Sequence, residues 1–233
     1  MSLIQQQSSK PFLYLRCSSL SHVDFCPIRS KAETFSKMAR TVRPDGSKNH
    51  AMITGTKMHA EKSFGLYDWE RDHIVYGLMP KEHTYTRYLE TPNLDIFVRG
   101  AYDDLRVIRY HDEKYISFIE MKTTFKKYMW EREIKAAVRQ LQLYMWMFKE
   151  EVESLGYKLW KRSYVEIYSQ KTGLLMKRVP VYYDEHIEDW IINCVEMFQG
   201  LAPMTIAPYA YCRICPIQVK KNCSYYAVRS NDG

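Results

Sequence analysis

The stretch Tyr115 to Thr123, YISFIEMKT, constrains this chain more than any other. Alternation predicts a strand with Ile116, Phe118, Glu120 and Lys122 on one face and Tyr115, Ser117, Ile119 and Met121 on the other. An apolar strand that ends on a carboxylate and an ammonium two residues apart carries a charged tip. Charged groups are seldom buried unless they are paired or bind metal. Taken alone, an E-x-K is most simply a strand end that reaches solvent, so its meaning depends on what the rest of the chain brings to it.

The surrounding pattern predicts a mixed α/β domain. His111 to Lys114 reads as a hairpin loop between a strand-rich segment, Asp95 to Tyr110, and the E-x-K strand. Residues 26–40 read as a helix opened by Pro27, and residues 54–64 as a second helix start. Residues 73–78 and 83–90 are short strand candidates. Trp130 to Glu153 is the strongest helical pattern, with Ala137, Leu141, Tyr144, Met145 and Phe148 on one stripe. Ser163 to Ser169 and Leu174 to Tyr182 read as two strands turning at Lys171-Thr172-Gly173, and Asp184 to Phe198 as a helix ended by Gly200. Gly100, inside a strand pattern, signals close backbone approach or a bulge. This order suggests an α/β core with a mixed sheet flanked by helices.

Composition excludes some classes. With 46% hydrophobic and 26% charged residues among 233, the chain reads as a soluble globular protein. No apolar run approaches the length of a membrane span. The first 23 residues read as a strand or lead-in segment and not a secretory signal, which makes the cytoplasm the expected compartment. The net charge of +7 is compatible with a polyanionic partner.

Four constellations carry chemistry. A hairpin brings Asp103, in Gly100-x-x-Asp103, towards Glu120. Two facing carboxylates repel unless a cation lies between them, and oxygen-rich sites favour magnesium or manganese. Lys122 beside such a site is placed to stabilise phosphoryl charge. Asp104 competes with Asp103, since the two point to opposite faces of a strand. His59, in GTKMH, is a candidate third ligand. Gln140 and Tyr144, four apart, share a helix face from which they can hydrogen-bond phosphate or water.

The fourth constellation is Cys212-x2-Cys215 followed by Cys223. Three thiolates need a fourth ligand, for which Cys26, Cys17 and Cys194 are the candidates. Cys26 stands at a helix start, where backbone N–H groups favour thiolate. Four thiolates hold zinc or an iron–sulfur cluster, and spacing does not separate the two.

As an ordered set, Gly55-Thr56-x-x-His59, Gly100-x-x-Asp103, Glu120-x-Lys122 and Gln140-Leu141-x-x-Tyr144 resemble the motifs of the RecB-like branch of the PD-(D/E)xK nucleases. A Phe25-Cys26-Pro27 ahead of them and three Cys behind resemble its iron–sulfur subset, which includes the CRISPR-associated RecB-like exonucleases and the AddB-type repair nucleases. A chain this short, with no helicase segment, is most similar to the CRISPR-associated family.

The resemblance implies a restriction-endonuclease-like core (about residues 50–200) in a single domain spanning 1–233, with an iron–sulfur clasp joining residues 20–40 to 203–226. It implies Mg2+- or Mn2+-dependent cleavage of single-stranded DNA with exonuclease polarity, alone or with endonuclease action. His59, Asp103, Glu120 and the Met121 carbonyl would hold the metal, with Lys122 the catalytic lysine and Gln140 and Tyr144 shaping the site. A 4Fe–4S cluster would sit on Cys26, Cys212, Cys215 and Cys223. The seven residues between Cys215 and Cys223 make a longer spacing than is usual in the family, which keeps Cys194 in reserve.

Lys126, Lys127, Trp130 and Arg132, and beyond them Lys158, Trp160, Lys161 and Arg162, are candidates for a DNA track. CRISPR integrase proteins and a second copy of the chain are the partners to look for. Three readings stay open: a spacer-acquisition nuclease, a repair or virus-borne nuclease, and a catalytically silent DNA-binding module.

Overall fold

The computed structural model describes residues 10–35 and 85–204 together with Cys212, Cys215 and Cys223. His59, the helix start at 54–64, and the strand candidate at 73–78 lie outside these residues.

The chain enters through β1 (Phe12–Arg16), a one-turn helix α1 (Cys17–Leu20), a 3-10 turn over Ser21–Asp24, and α2 (Pro27–Phe35). After β2 (Tyr85–Glu90) and β3 (Asp95–Gly100), the hairpin β4 (Asp104–Tyr110) and β5 (Glu113–Thr124) follows. Its turn uses His111 and Asp112 at φ 48° and 60°, the left-handed region that a tight two-residue hairpin turn requires. The long helix α3 (Glu131–Ser154), the short β6 (Lys158–Leu159), strands β7 (Ser163–Ser169) and β8 (Leu175–Val181), and α4 (Ile187–Gln199) complete the order.

Two sheets form. One has the order β1-β3-β2, with β1 parallel and β2 antiparallel to β3. The other runs β4-β5-β7-β8, with β7 parallel to β5 and β6 pairing with the start of β5. The mixed sheets and flanking helices are consistent with the restriction-endonuclease-like core that the motif resemblance implies. Two connections were not legible locally: β1 crosses to pair with β3, and β7 returns parallel to β5 only because α3 carries the chain back across the sheet.

Helix α3 organises the core. The Glu133 carboxylate accepts the N–H of Trp130 at 3.0 Å and so satisfies one donor at the helix start. From there Ala137, Leu141, Met145, Phe148 and Val152 descend along a buried stripe. Phe118 on β5 meets Phe148 and Tyr102 at ring-centroid distances of 5.8 and 5.0 Å. The long helix packs against β5 while β4 and β7 pair with its two edges, and every residue from Ile116 to Met121 is buried. The alternation seen in the sequence therefore does not divide core from solvent here. The strand is central and continues to Thr124, so Glu120 is not at a solvated tip.

Candidate active site

Glu120 lies in the middle of this central strand, 1% exposed. Its Oε1 accepts a charge-assisted hydrogen bond from the Lys122 ammonium. Lys122 in turn donates to Gln140 Oε1 at 3.2 Å, and the Gln140 amide donates to the Tyr144 hydroxyl at 2.6 Å. The i, i+4 spacing on α3 thus forms a rail that holds the lysine against the carboxylate.

Asp103 stands at the turn between β3 and β4, and its Oδ2 accepts the Met121 backbone N–H at 2.7 Å. That bond pins its carboxyl beside Glu120. Asp104 is turned elsewhere: its Oδ1 accepts the N–H of Leu105 at 2.8 Å.

The electrostatics are unbalanced. Burial raises the Glu120 carboxyl to about 8, and the neighbouring Asp103 adds to the rise, while Lys122 opposes both. Glu120 Oε2 is buried with no N–H or hydroxyl donor among the described residues, and the Asp103 carboxyl lies close enough to Glu120 for the two to share a proton when no cation is bound. A carboxylate oxygen without such a donor, beside a second carboxyl, fits a divalent cation, which would complete the charge and coordination both groups lack. Among the described residues no group of three or more His, Cys, Asp or Glu side chains stands in ligating geometry, so Asp103 and Glu120 form a two-carboxylate half-site. Tyr144 is held well above its ordinary value, first by burial and then by Glu120, and so remains a neutral hydroxyl.

Close packing supports the pair. A Cβ at Gly100 would come within 2.7 Å of Cys17 Sγ and 2.8 Å of the Tyr144 ring. Glycine is what lets the end of β3 approach α3 and present Asp103, as its place in the strand pattern predicted.

The cysteines divide into two groups. Cys17 is buried in the core, its Sγ 3.1 Å from Met147 Sδ, and Cys194 is buried on α4. Cys26, Cys212 and Cys223 each act electrostatically on Cys215, and the Cys215 N–H donates to the Cys212 carbonyl at 3.1 Å, the tight turn expected of C-x2-C. Burial pushes the Cys215 thiol up to about 11, opposed by Arg29 and reinforced by the other three thiols.

The sequence reading missed one network. His22 Nδ1 and Arg29 Nε lie 2.6 and 2.8 Å from the two oxygens of Glu33. His22, Phe25 and Arg29 line a cavity of about 240 Å³ shared with Lys122 and Gln140. The Arg29/Glu33 i, i+4 spacing was the available signal, but nothing local tied it to Lys122.

The proposed DNA-track residues are dispersed in role. The Lys126 ammonium sits 4.1 Å from the centroid of the Trp130 ring. Arg132 donates to the Phe25 carbonyl at 2.8 Å and thereby ties α3 to the segment before Cys26. Lys127 is exposed. Lys158 pairs with Glu113, and Lys161 lies 5.5 Å from the Trp160 ring. Among the described residues no helix is long and apolar enough to cross a membrane.

No curated protein sequence matches the chain. Among solved structures, the crystal structure of SSO0001 superposes with a TM-score of 0.56 at 14% identity, over 91% of this chain and 86% of that one. At that identity the likeness is one of fold. The family model of the PD-(D/E)XK nuclease superfamily matches residues 18–219, a span that contains the Asp103, Glu120 and Lys122 constellation together with Cys26, Cys212 and Cys215, and ends before Cys223. With that match over most of its length, the chain belongs to the PD-(D/E)XK nuclease superfamily.

Proposed function

We propose that the protein is a metal-dependent nuclease that hydrolyses phosphodiester bonds of single-stranded DNA at the Asp103/Glu120/Lys122 site. The observation that carries this reading is the buried Oε2 of Glu120, without an N–H or hydroxyl donor among the described residues, beside the Asp103 carboxyl. Asp103, Glu120 and the Met121 carbonyl would hold a magnesium or manganese ion, with His59 a further ligand. When bound, the ion supplies positive charge to the phosphodiester and makes water a better nucleophile. Lys122, steered by Gln140, places its ammonium where negative charge builds on the phosphoryl oxygens as water adds and the P–O bond to the leaving strand breaks. Tyr144 fixes the Gln140 amide and stays protonated throughout.

The reading extends to a 4Fe–4S cluster on Cys26, Cys212, Cys215 and Cys223: these thiols lie near enough for the other three to act electrostatically on Cys215, and cluster binding would draw them from their present spacing into ligating geometry and clasp the start of α2 to the C-terminal segment. Exonuclease polarity and a place in spacer acquisition rest on the resemblance of the motif set to the CRISPR-associated family.

The test is incubation of the purified protein with end-labelled single-stranded DNA and manganese, with and without chelator. Chelator-sensitive cleavage that is absent in Glu120→Gln is expected. Cleavage that survives both treatments would refute the site. Iron and sulfide assays on anaerobically purified protein test the clasp, and stoichiometric zinc in a colourless protein would replace the cluster by a zinc site.

A further inference from the structure

The outer face of the β1-β3-β2 sheet carries exposed aromatic side chains. Alternation sends Leu15, Ile96 and Val98 inward and leaves Phe12, Tyr14 and Arg16 of β1 and Thr86, Tyr88 and Glu90 of β2 exposed. Strand register then sets a grid of three rows. Tyr14, Phe97 and Tyr88 lie side by side across the strands. Arg16, Arg99 and Thr86 form the row on one flank, and Phe12, Asp95 and Glu90 the row on the other.

The rings form one continuous group. Tyr14 stacks on Phe97 at 5.0 Å, Tyr88 tilts against Phe97 at 5.3 Å, and Phe12 meets Tyr14 edge-on at 5.6 Å. Phe12, Tyr14 and Tyr88 are 66%, 59% and 47% exposed. Contiguous aromatic area of this kind on a surface marks a binding face.

We propose that this face is a stacking platform for a single-stranded nucleic acid that leads the strand to the carboxylate pair. The inference rests on the nuclease reading above and extends it to a second contact region. Three observations favour a polynucleotide as occupant. Exposed rings are the sequence-tolerant surface on which unpaired bases stack. The row nearer Gly100 carries Arg16 and Arg99, suited to phosphate, whereas in the far row Asp95 is buried and accepts the Tyr88 hydroxyl and Glu90 pairs with Lys10. The arginine row also lies close to the chemistry along the chain: Arg99 is followed by Gly100, which packs on Tyr144, and then by Asp103. Four residues of chain span at most about 13 Å, a reach of few nucleotides.

The test uses the full-length protein carrying Glu120→Gln, in chelator, with a fluorescent oligodeoxythymidylate of about 16 nucleotides and another of about four. Tyr14→Ala combined with Tyr88→Ala is expected to weaken binding of the long strand by about tenfold or more, and of the short one much less. Tyr14→Phe, which keeps the ring, is expected to restore Tyr14's share of the affinity. A thermal melt shared with the parent protein identifies the loss as one of contact and not of folding.

Unchanged affinity for the long strand in the double alanine variant would overturn the platform, while cleavage by the wild-type protein would leave the nuclease reading standing. A wild-type protein that neither binds nor cuts single strands would remove both. Loss of a dimer in the variants with DNA affinity intact would reassign the face to a protein interface.

Discussion

Replacing Glu120 by Gln should make the metal-free protein more stable while it abolishes cleavage. The ordinary carboxyl value is 4.5, and in the folded chain Glu120 is raised to about 8. For an acid raised on folding, the unfolded state holds its charge more cheaply, so stability is lost as pH rises from the unfolded value to the folded one. At pH 7 the penalty is roughly 1.36 kcal/mol for each of about 2.5 pH units, or about 3 kcal/mol. Gln keeps the shape and removes the charge, but it leaves Lys122 without its carboxylate. A net gain of about 1–3 kcal/mol remains, a rise in melting temperature of roughly 2–10 °C for a chain of this size.

The assay is denaturant unfolding of both proteins in chelator between pH 4 and pH 8. The curves should converge below about pH 4.5 and separate above it. Added magnesium or manganese should stabilise the wild type and leave the variant unmoved, since binding to the folded state alone raises stability by mass action. If Glu120→Gln is the less stable protein at pH 7 and the two curves run parallel, the carboxylate is not the strained group described here.

Further outcomes follow from the same geometry. Burial raises the Glu33 carboxyl, but His22 and Arg29 outweigh it and hold it at about 2, so it contributes about 3 kcal/mol that is present above pH 4.5 and lost as pH falls towards 2. Glu33→Gln should remove that acid transition from a pH-dependent unfolding series. Lys122→Met should abolish cleavage and also lower stability at neutral pH, because it removes the cation paired with the buried Glu120 carboxyl; circular dichroism melts with a nuclease assay separate the two effects. Gly100→Ala should cost roughly 1–3 kcal/mol through collision with Cys17 and Tyr144, and Cys17→Ala in the same chain should recover part of it in a thermal melt.

Much of this molecule was legible locally. The period of α3, the β4–β5 hairpin and the β7–β8 pair follow from short-range pattern and turn chemistry, and each appears where its residues predict it. The hairpin reading brought Asp103 towards Glu120 and Lys122, and the resemblance of the ordered motif set added Gln140 and Tyr144. Other features depended on contacts between residues far apart in sequence. Which of Asp103 and Asp104 turns inward is decided by the Met121 N–H, 18 residues on. Which cysteines stand apart is decided by packing, since Cys17 is drawn into the core against Met147, 130 residues away.

The E-x-K strand shows the same division. Its sequence alone determined a strand with a carboxylate and an ammonium on one face. Only the tertiary structure, by packing α3 against that strand and pairing both its edges, removed Glu120 from water and left one of its oxygens without an N–H or hydroxyl donor among the described residues. Burial is a sum over distant segments, and no local pattern carries it.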